Sequence, residues 1–377
     1  MLKVIEFMKS HKNWEELLTQ APYFLKIYRD EVFGRKLVMI KYNALFAVDF
    51  SIELVRECRG IIIDEDTLEP VVIPFFKFGN YGESYCPDID WKSAVISEKR
   101  DGSLMKVVKL GDNYLISSNG CIDAFKAELQ GGLLCPYKSF GELFMEAMGD
   151  RLSLLKEGKT YMFELTSPYN RIVVPYDDVN IALIGIRDNK TLKEELIFNS
   201  ELKDHFLTPK VYGFKTLDEC IAAAKELPYS EEGYVVVDKF FNRVKVKSLA
   251  YVNIHHLRGE GVMTVKRVLS LIRENEVEEV LTYFPEYKDL FDEYERKIDD
   301  LYKAYDFMWL SFSQLEFNSR KEIALFLQGA KDVYDMGFIF KMLDGKIKDS
   351  RDFFADMPLD KFIDILHKYE HFWEVND

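Results

Sequence analysis

The sequence predicts an α+β domain over residues 1–254 followed by an all-helical domain over residues 255–377. Three observations predict this. Up to about residue 250, short runs rich in β-branched and aromatic residues recur between Gly, Asn, Asp or Pro. From Val262 to Gln328 there is no glycine and one proline, Pro285, while apolar residues recur at helical spacing in Leu290, Tyr294, Ile298, Leu301 and Tyr305. A chain of 377 residues also exceeds the usual size of one domain.

In chain order, the expected strands are "RGIIID" (59–64), "KVVKL" (106–110), "YLISS" (114–118), "TYMFELT" (160–166), "NIALIGI" (180–186) and "GYVVVD" (233–238). Helical patterns interrupt them near 139–155 and 216–226, which makes the class α+β. The change to helical texture follows "HHLRGEG" at 255–261. No internal repeat or low-complexity tract is present.

Composition narrows the function classes. Apolar and charged fractions of 48% and 30% are those of a globular protein, and no apolar run approaches the ~18 residues of a membrane span. The opening "MLKVIEFMKSHKNWEELL" mixes charges into an amphipathic pattern unlike a signal peptide, so a cytoplasmic monomer is expected, in the host cytoplasm if the chain is viral. Cys58, Cys86, Cys121, Cys135 and Cys220 are odd in number and scattered, which argues against a zinc site or disulfide framework. The net charge of −14 argues against a protein that simply coats nucleic acid. Residues 251–377 hold 17 Lys and Arg against 26 Asp and Glu, whereas residues 1–250 hold 33 against 38. Basic side chains of the first part can therefore still converge on one groove.

The stretch "SEKRDGSLMK" (97–106) sets Lys99 two residues before Asp-Gly, directly after Ala94-Val95-Ile96. Alone, it also fits a surface hairpin. In "RVKVKS" (243–248), alternation puts Lys245 and Lys247 on one strand face and Val244 and Val246 on the other. Two ammonium groups side by side repel unless an anion lies between or above them, and a polyphosphate meets that need. "EEGYVVVD" (231–238) forms a hairpin with that strand and brings Glu232 near the lysines, where it can hold a metal through water or simply cap a loop. Glu164, inside "YMFELTSPYNRIV", needs a hydrogen-bond donor or cation, such as a pair of ribose hydroxyls or an arginine. Arg59 opens the strand of "ECRGIIID", and Lys77 lies among aromatics in "PFFKFGNYGE".

Taken in order, Lys99-x-Asp-Gly102, Phe163-Glu164, Glu232-Gly233 and the Lys245/Lys247 pair resemble the covalent nucleotidyltransferases, the superfamily of ATP-dependent DNA and RNA ligases and RNA capping enzymes. With "KYN" (41–43), "ECRG" (57–60), "KF" (77–78) and "SPYNRIV" (167–173), the chain resembles the RNA ligase 1 type of T-even bacteriophages over about residues 37–251.

That resemblance implies an adenylyltransferase domain of antiparallel sheets and helices, with ATP and Mg2+, or Mn2+, as cofactors. Lys99 would attack the α-phosphate to give lysyl-AMP, AMP would pass to an RNA 5′-phosphate, and a 3′-hydroxyl would displace it. Lys245 and Lys247 would contact the α-phosphate, Arg59 and Lys77 the outer phosphates, and Glu164 the ribose. Tyr42 would contact the nucleotide, Gly102 would allow its close approach, and Glu232 would hold the metal through water. The expected partner is RNA with 5′-phosphate and 3′-hydroxyl ends, a nicked tRNA anticodon loop among them, alongside an end-healing kinase and phosphatase. The helical domain would select RNA shape. One position departs from the phage type: Asn119, before Gly120, stands where that type carries a lysine, and Lys106 is the candidate to supply the charge. The rival readings are a DNA ligase or capping enzyme, which usually append a β-barrel after the lysine pair, and an RNA-end binding protein that has lost the chemistry.

Overall fold

The structure, a computed structural model, describes residues 2–43, 48–129, 135–256, 263–283, 285–315, 317, 319–328 and 334–376. It divides into two units, residues 1–43 with 48–261 and residues 44–47 with 262–377. The division expected after residue 254 falls inside the helix Leu249–His256. That helix stays with the first unit, where Tyr251 and Val252 are buried. Most of "HHLRGEG" lies outside the described residues.

Thirteen strands are described in the first unit: β1 (Leu25–Val32), β2 (Arg35–Tyr42), β3 (Arg59–Asp64), β4 (Pro70–Val72), β5 (Val95–Lys99), β6 (Ser103–Leu110), β7 (Asn113–Ser118), β8 (Lys159–Thr166), β9 (Asn180–Asp188), β10 (Glu194–Glu195), β11 (Val211–Tyr212), β12 (Gly233–Val237) and β13 (Arg243–Lys247). They form three sheets, ordered β1-β2-β3-β4, β10-β9-β8-β6-β7 and β11-β5-β12-β13, with antiparallel pairing throughout. Each expected strand run is a strand here. The β1-β2 hairpin was not legible, because its mixed charged and apolar residues carry no clean alternation.

The first two sheets bury Leu37, Met39, Ile62 and Val72 against Val108, Leu115 and Ile122. The opposite face of the second sheet packs Met105, Val107 and Phe163 against Leu143 and Phe144 of the helix Phe140–Met148. Ser139 caps that helix by accepting from Glu142 N at 3.1 Å. The third sheet buries Ile96, Val236, Val244 and Val246 under Cys220 and Ala224 of the helix Leu217–Lys225. Covering each apolar face leaves the other faces of the second and third sheets free to line a cavity.

In the second unit, every regular element among the described residues is helical. The helix Lys288–Phe312 turns Tyr294, Ile298, Leu301 and Tyr305 into a core with Phe338, Phe353, Phe354 and Phe362, and Leu290 packs at its margin. Among the described residues no helix is long and apolar enough to cross a membrane. All five cysteines are free thiols, with Cys58 and Cys220 buried.

Candidate active site

Lys99 ends β5 and Ser103 opens β6, yet these strands belong to different sheets, so the Asp-Gly turn is not a surface hairpin. The reason is Asp101, which turns inward. Its Oδ2 accepts from Val173 N at 2.8 Å and Val174 N at 2.7 Å, and its Oδ1 accepts from the Tyr251 hydroxyl at 2.9 Å. Gly102 is required by packing: a Cβ there would run into Leu165 O of the neighbouring strand. Gly102 also lines the cavity, but that collision with β8 is reason enough for a glycine.

Strand register assembles the reactive wall. Gly233 lies opposite Lys99 on one side and opposite Lys247 on the other, so no side chain separates the two lysines. Glu232, one residue earlier, occupies that gap. Lys99 Nζ donates to Glu232 Oε2 at 2.7 Å, and Lys247 Nζ lies 3.8 Å from Glu232 Oε1. Glu232 and Lys247 side chains are 5% and 8% exposed, against 21% for Lys99. Lys99 is thus the member of the trio with most access to the cavity.

Glu164 faces this wall from β8. Burial pushes its carboxyl up to about 7, with Glu232 and Asp101 adding to the shift and Lys99 and Arg59 opposing it. Among the described residues no donor hydrogen-bonds to it, so a carboxylate here needs donors from a ligand.

Three cations converge on the Phe78 ring: Arg59 at 5.4 Å, Arg243 at 5.5 Å and Lys245 at 5.7 Å from its centroid. Arg243, Lys245 and Lys247 share one face of β13, and all three line the cavity. Arg243 was missed in the sequence, although the alternation that paired the lysines includes it. Its guanidinium is bidentate on buried Glu194, at 2.7 Å to Oε2, and Glu194 also pairs with Arg187. Nothing in the sequence around Glu194 signals that role.

Tyr42 and Lys77 stand outside the cavity lining. Tyr42 hydrogen-bonds to Arg59, and Lys77 lies 5.8 Å from the Tyr42 ring and 4.9 Å from Phe50. Burial would raise the Tyr42 hydroxyl, but Lys77, Arg59 and Lys41 hold it below the usual range. Asn119 does line the cavity, and its Oδ1 is buried without a partner. Lys106 does not supply the charge there as expected. It is fully buried and donates to Gly60 O at 2.8 Å. Gly60 has φ +82°, and a Cβ on it would meet that ammonium at 2.8 Å.

The enclosed space is about 280 Å³. Seven of the nine expected residues line it: Arg59, Lys99, Gly102, Glu164, Glu232, Lys245 and Lys247. Such a cavity can hold a polyanion over its lysines and hydroxyl donors under Glu164, with one amine in reach of an electrophile. Among the described residues no cluster of three His, Cys, Asp or Glu side chains could hold a metal ion. The donor set fits only a hydrated ion shared between Glu232 and substrate phosphates.

Residues 57–251 match the RNA ligase family model of the T4 RNA ligase 1 type. The chain is 30% identical over 281 residues to a candidate bifunctional polynucleotide kinase/RNA ligase of Autographa californica nuclear polyhedrosis virus, covering 68% of this chain and 39% of that one. It is 26% identical over 381 residues to an RNA ligase of Rhodothermus phage RM378, covering 82% of this chain and 85% of that one. An archaeal ATP-dependent RNA ligase structure superposes with a TM-score of 0.46 at 13% identity, over 78% of this chain and 77% of that one. Because the family match spans just over half of its length, the chain belongs to the RNA ligase family of the T4 RNA ligase 1 type.

Proposed function

We propose that this protein is an ATP-dependent RNA ligase that joins RNA 5′-phosphate and 3′-hydroxyl ends through lysyl-AMP and RNA-adenylate intermediates. The observation that carries the reading is the amine of Lys99, held 2.7 Å from Glu232 in a cavity shared with Lys245, Lys247, Arg59 and Glu164. In the first step the Lys99 nitrogen bonds to the α-phosphorus as the bond to the pyrophosphate oxygen breaks. Glu232 is within hydrogen-bond reach of the proton that must leave the ammonium. Lys245 and Lys247 stabilise charge on the α-phosphate, and Arg59, oriented by Tyr42, grips the outer phosphates with Lys77 behind it. Glu164 accepts from the ribose hydroxyls. Mg2+, or Mn2+, held through water by Glu232 and by the phosphates, would supply neutralisation of phosphate charge.

The helical character of the second unit favours this over a DNA ligase or capping enzyme with an appended β-barrel. The baculoviral relative's kinase name supports a 5′-end-healing partner, and nicked tRNA anticodon loops fit a healed, folded substrate. Residues beyond the first unit would then select RNA shape.

The test is mass spectrometry of the protein after incubation with ATP and Mg2+, which should place one AMP on Lys99. Lys99→Ala should lose ATP-dependent joining yet still seal pre-adenylylated RNA. An adduct on a different lysine sinks the assignment, and a wild-type protein that forms no adduct supports the RNA-end binding alternative.

A further inference from the structure

Lys26 on β1 lies directly opposite Lys41 on β2, and Lys41 in turn pairs with Arg59 at the start of β3. Three cations therefore stand in a row across three adjacent strands, and the last of them is in the cavity wall. Like charges directly opposite in a sheet destabilise it. Neighbouring cations of the same sheet are neutralised: Arg29 pairs with Glu15 at 2.6 Å and with Glu65 at 2.8 Å, and Arg35 pairs with Asp64 at 2.9 Å. Neither Lys26 nor Lys41 has a carboxylate within ion-pair distance among the described residues. Lys41 Nζ instead lies 5.7 Å from the ring centroid of Tyr28, which is 38% exposed on the same face as Lys26. Burial and then Lys26 hold the Lys41 ammonium below its ordinary range, and beyond it Arg59 and buried Lys106 add further positive charge.

We propose that Lys26 and Lys41 form a phosphate track for the RNA substrate strand, ending at Arg59, with Tyr28 as a platform for one of its bases. The inference rests on the ligase reading for the identity of the strand, and not for the existence of the row. An RNA backbone is the occupant that fits. Adjacent strands are about 4.8 Å apart, so the row extends well beyond Arg59, away from the reach of a triphosphate anchored at Lys99. Exposed aromatic rings beside lysines are the usual grip on single strands, stacking a base while the backbone is neutralised. Among the site residues, a row leading outward from the cavity is what a polymer needs and a free nucleotide does not.

The test is binding of a short 5′-phosphorylated single-stranded RNA to the full chain without ATP, by fluorescence anisotropy over a salt series. Lys26→Gln with Lys41→Gln should weaken binding and make the log–log salt slope shallower by about 1.4, at about 0.7 per phosphate released. Lys26→Gln alone should give about half of that change, which keeps the test valid if the double variant unfolds. An unchanged slope overturns the track. So does an equal loss in the charge-matched control Lys9→Gln with Lys156→Gln, whose lysines pair with Glu69 and Glu201. A raised KM for ATP in RNA-free adenylylation, with RNA binding intact, would instead assign the row to the nucleotide and overturn the proposal. A wild-type chain that shows the predicted RNA binding but no lysyl-AMP would refute the ligase reading and leave the track standing.

Discussion

Glu194 and Glu164 line one cavity, but their surroundings have opposite effects. Glu194 lies between Arg187 and Arg243, both nearly buried. Burial alone would push its carboxyl up, yet the two arginines outweigh it and hold it below the usual range. Glu164 has no donor among the described residues, and burial pushes it up to about 7. A carboxylate already satisfied by protein has no hydrogen-bonding capacity to spare and serves the framework. One left unsatisfied at a cavity wall costs stability and is retained where a ligand completes it. The same contrast separates Arg243, tied to Glu194, from the cations of the Lys26 row.

The largest effect should come from breaking the satisfied end. Glu194→Ala leaves two buried guanidinium groups uncompensated and should cost about 3–5 kcal/mol of stability, read by denaturant unfolding. The sign follows from the depressed carboxyl: its contribution is present above the unfolded carboxyl range and is lost as pH falls through the lower folded value. Wild type should therefore show an acid-side loss of stability that Glu194→Ala lacks. A variant as stable as wild type would mean that the triad is not a framework.

Glu164→Gln should do the reverse, with little change in stability and a loss of nucleotide binding. Replacing a charged acceptor of ribose hydroxyls should raise KM for ATP in the adenylylation step by about tenfold or more. Because the folded group is raised from 4.5 to about 7, wild-type stability falls as pH rises through that window. Glu164→Gln should lack that slope and be relatively more stable at pH 8. A variant with wild-type KM would remove Glu164 from the ribose site.

The residues that the sequence made legible share one property: their neighbours are set by strand alternation or by a short turn. Lys245 and Lys247 on one face, Val244 and Val246 beneath, and Glu232 brought to them by a hairpin all follow from local spacing. So does the helix that buries Tyr294, Ile298, Leu301 and Tyr305. The facing of Glu164 toward Lys99 depends on how one sheet packs on another, and only the ordered motifs of the resemblance anticipated it. Tyr42 behind Arg59, Glu194 between two arginines, and Gly102 against Leu165 depend on such packing too. No local pattern encodes those contacts.

The smallest effect should fall on Lys106, which carries the comparison over to a buried cation. Unlike Arg187 and Arg243, it has no carboxylate partner, only Gly60 O, and burial, with Arg59 and Lys41 adding to it, lowers it from 10.5 to about 7. The unfolded chain therefore binds a proton more tightly than the folded one between those values, so wild-type stability rises with pH across that window. Lys106→Met fills the same volume without a charge and should abolish that rise. At pH 7 it exchanges a desolvation penalty for one lost hydrogen bond, and the net change should stay within about 1 kcal/mol. Because the Gly60 carbonyl follows Arg59 directly, loosening it should raise KM for ATP by no more than about fivefold, the worth of that one bond. This window lies above the one assigned to Glu164, so stability measured from pH 7 to 10 in both variants separates the two groups. If the alkaline rise persists in Lys106→Met, another group titrates there. If KM rises a hundredfold, the ammonium acts on the nucleotide directly, and the boundary drawn between buried framework and cavity wall is misplaced.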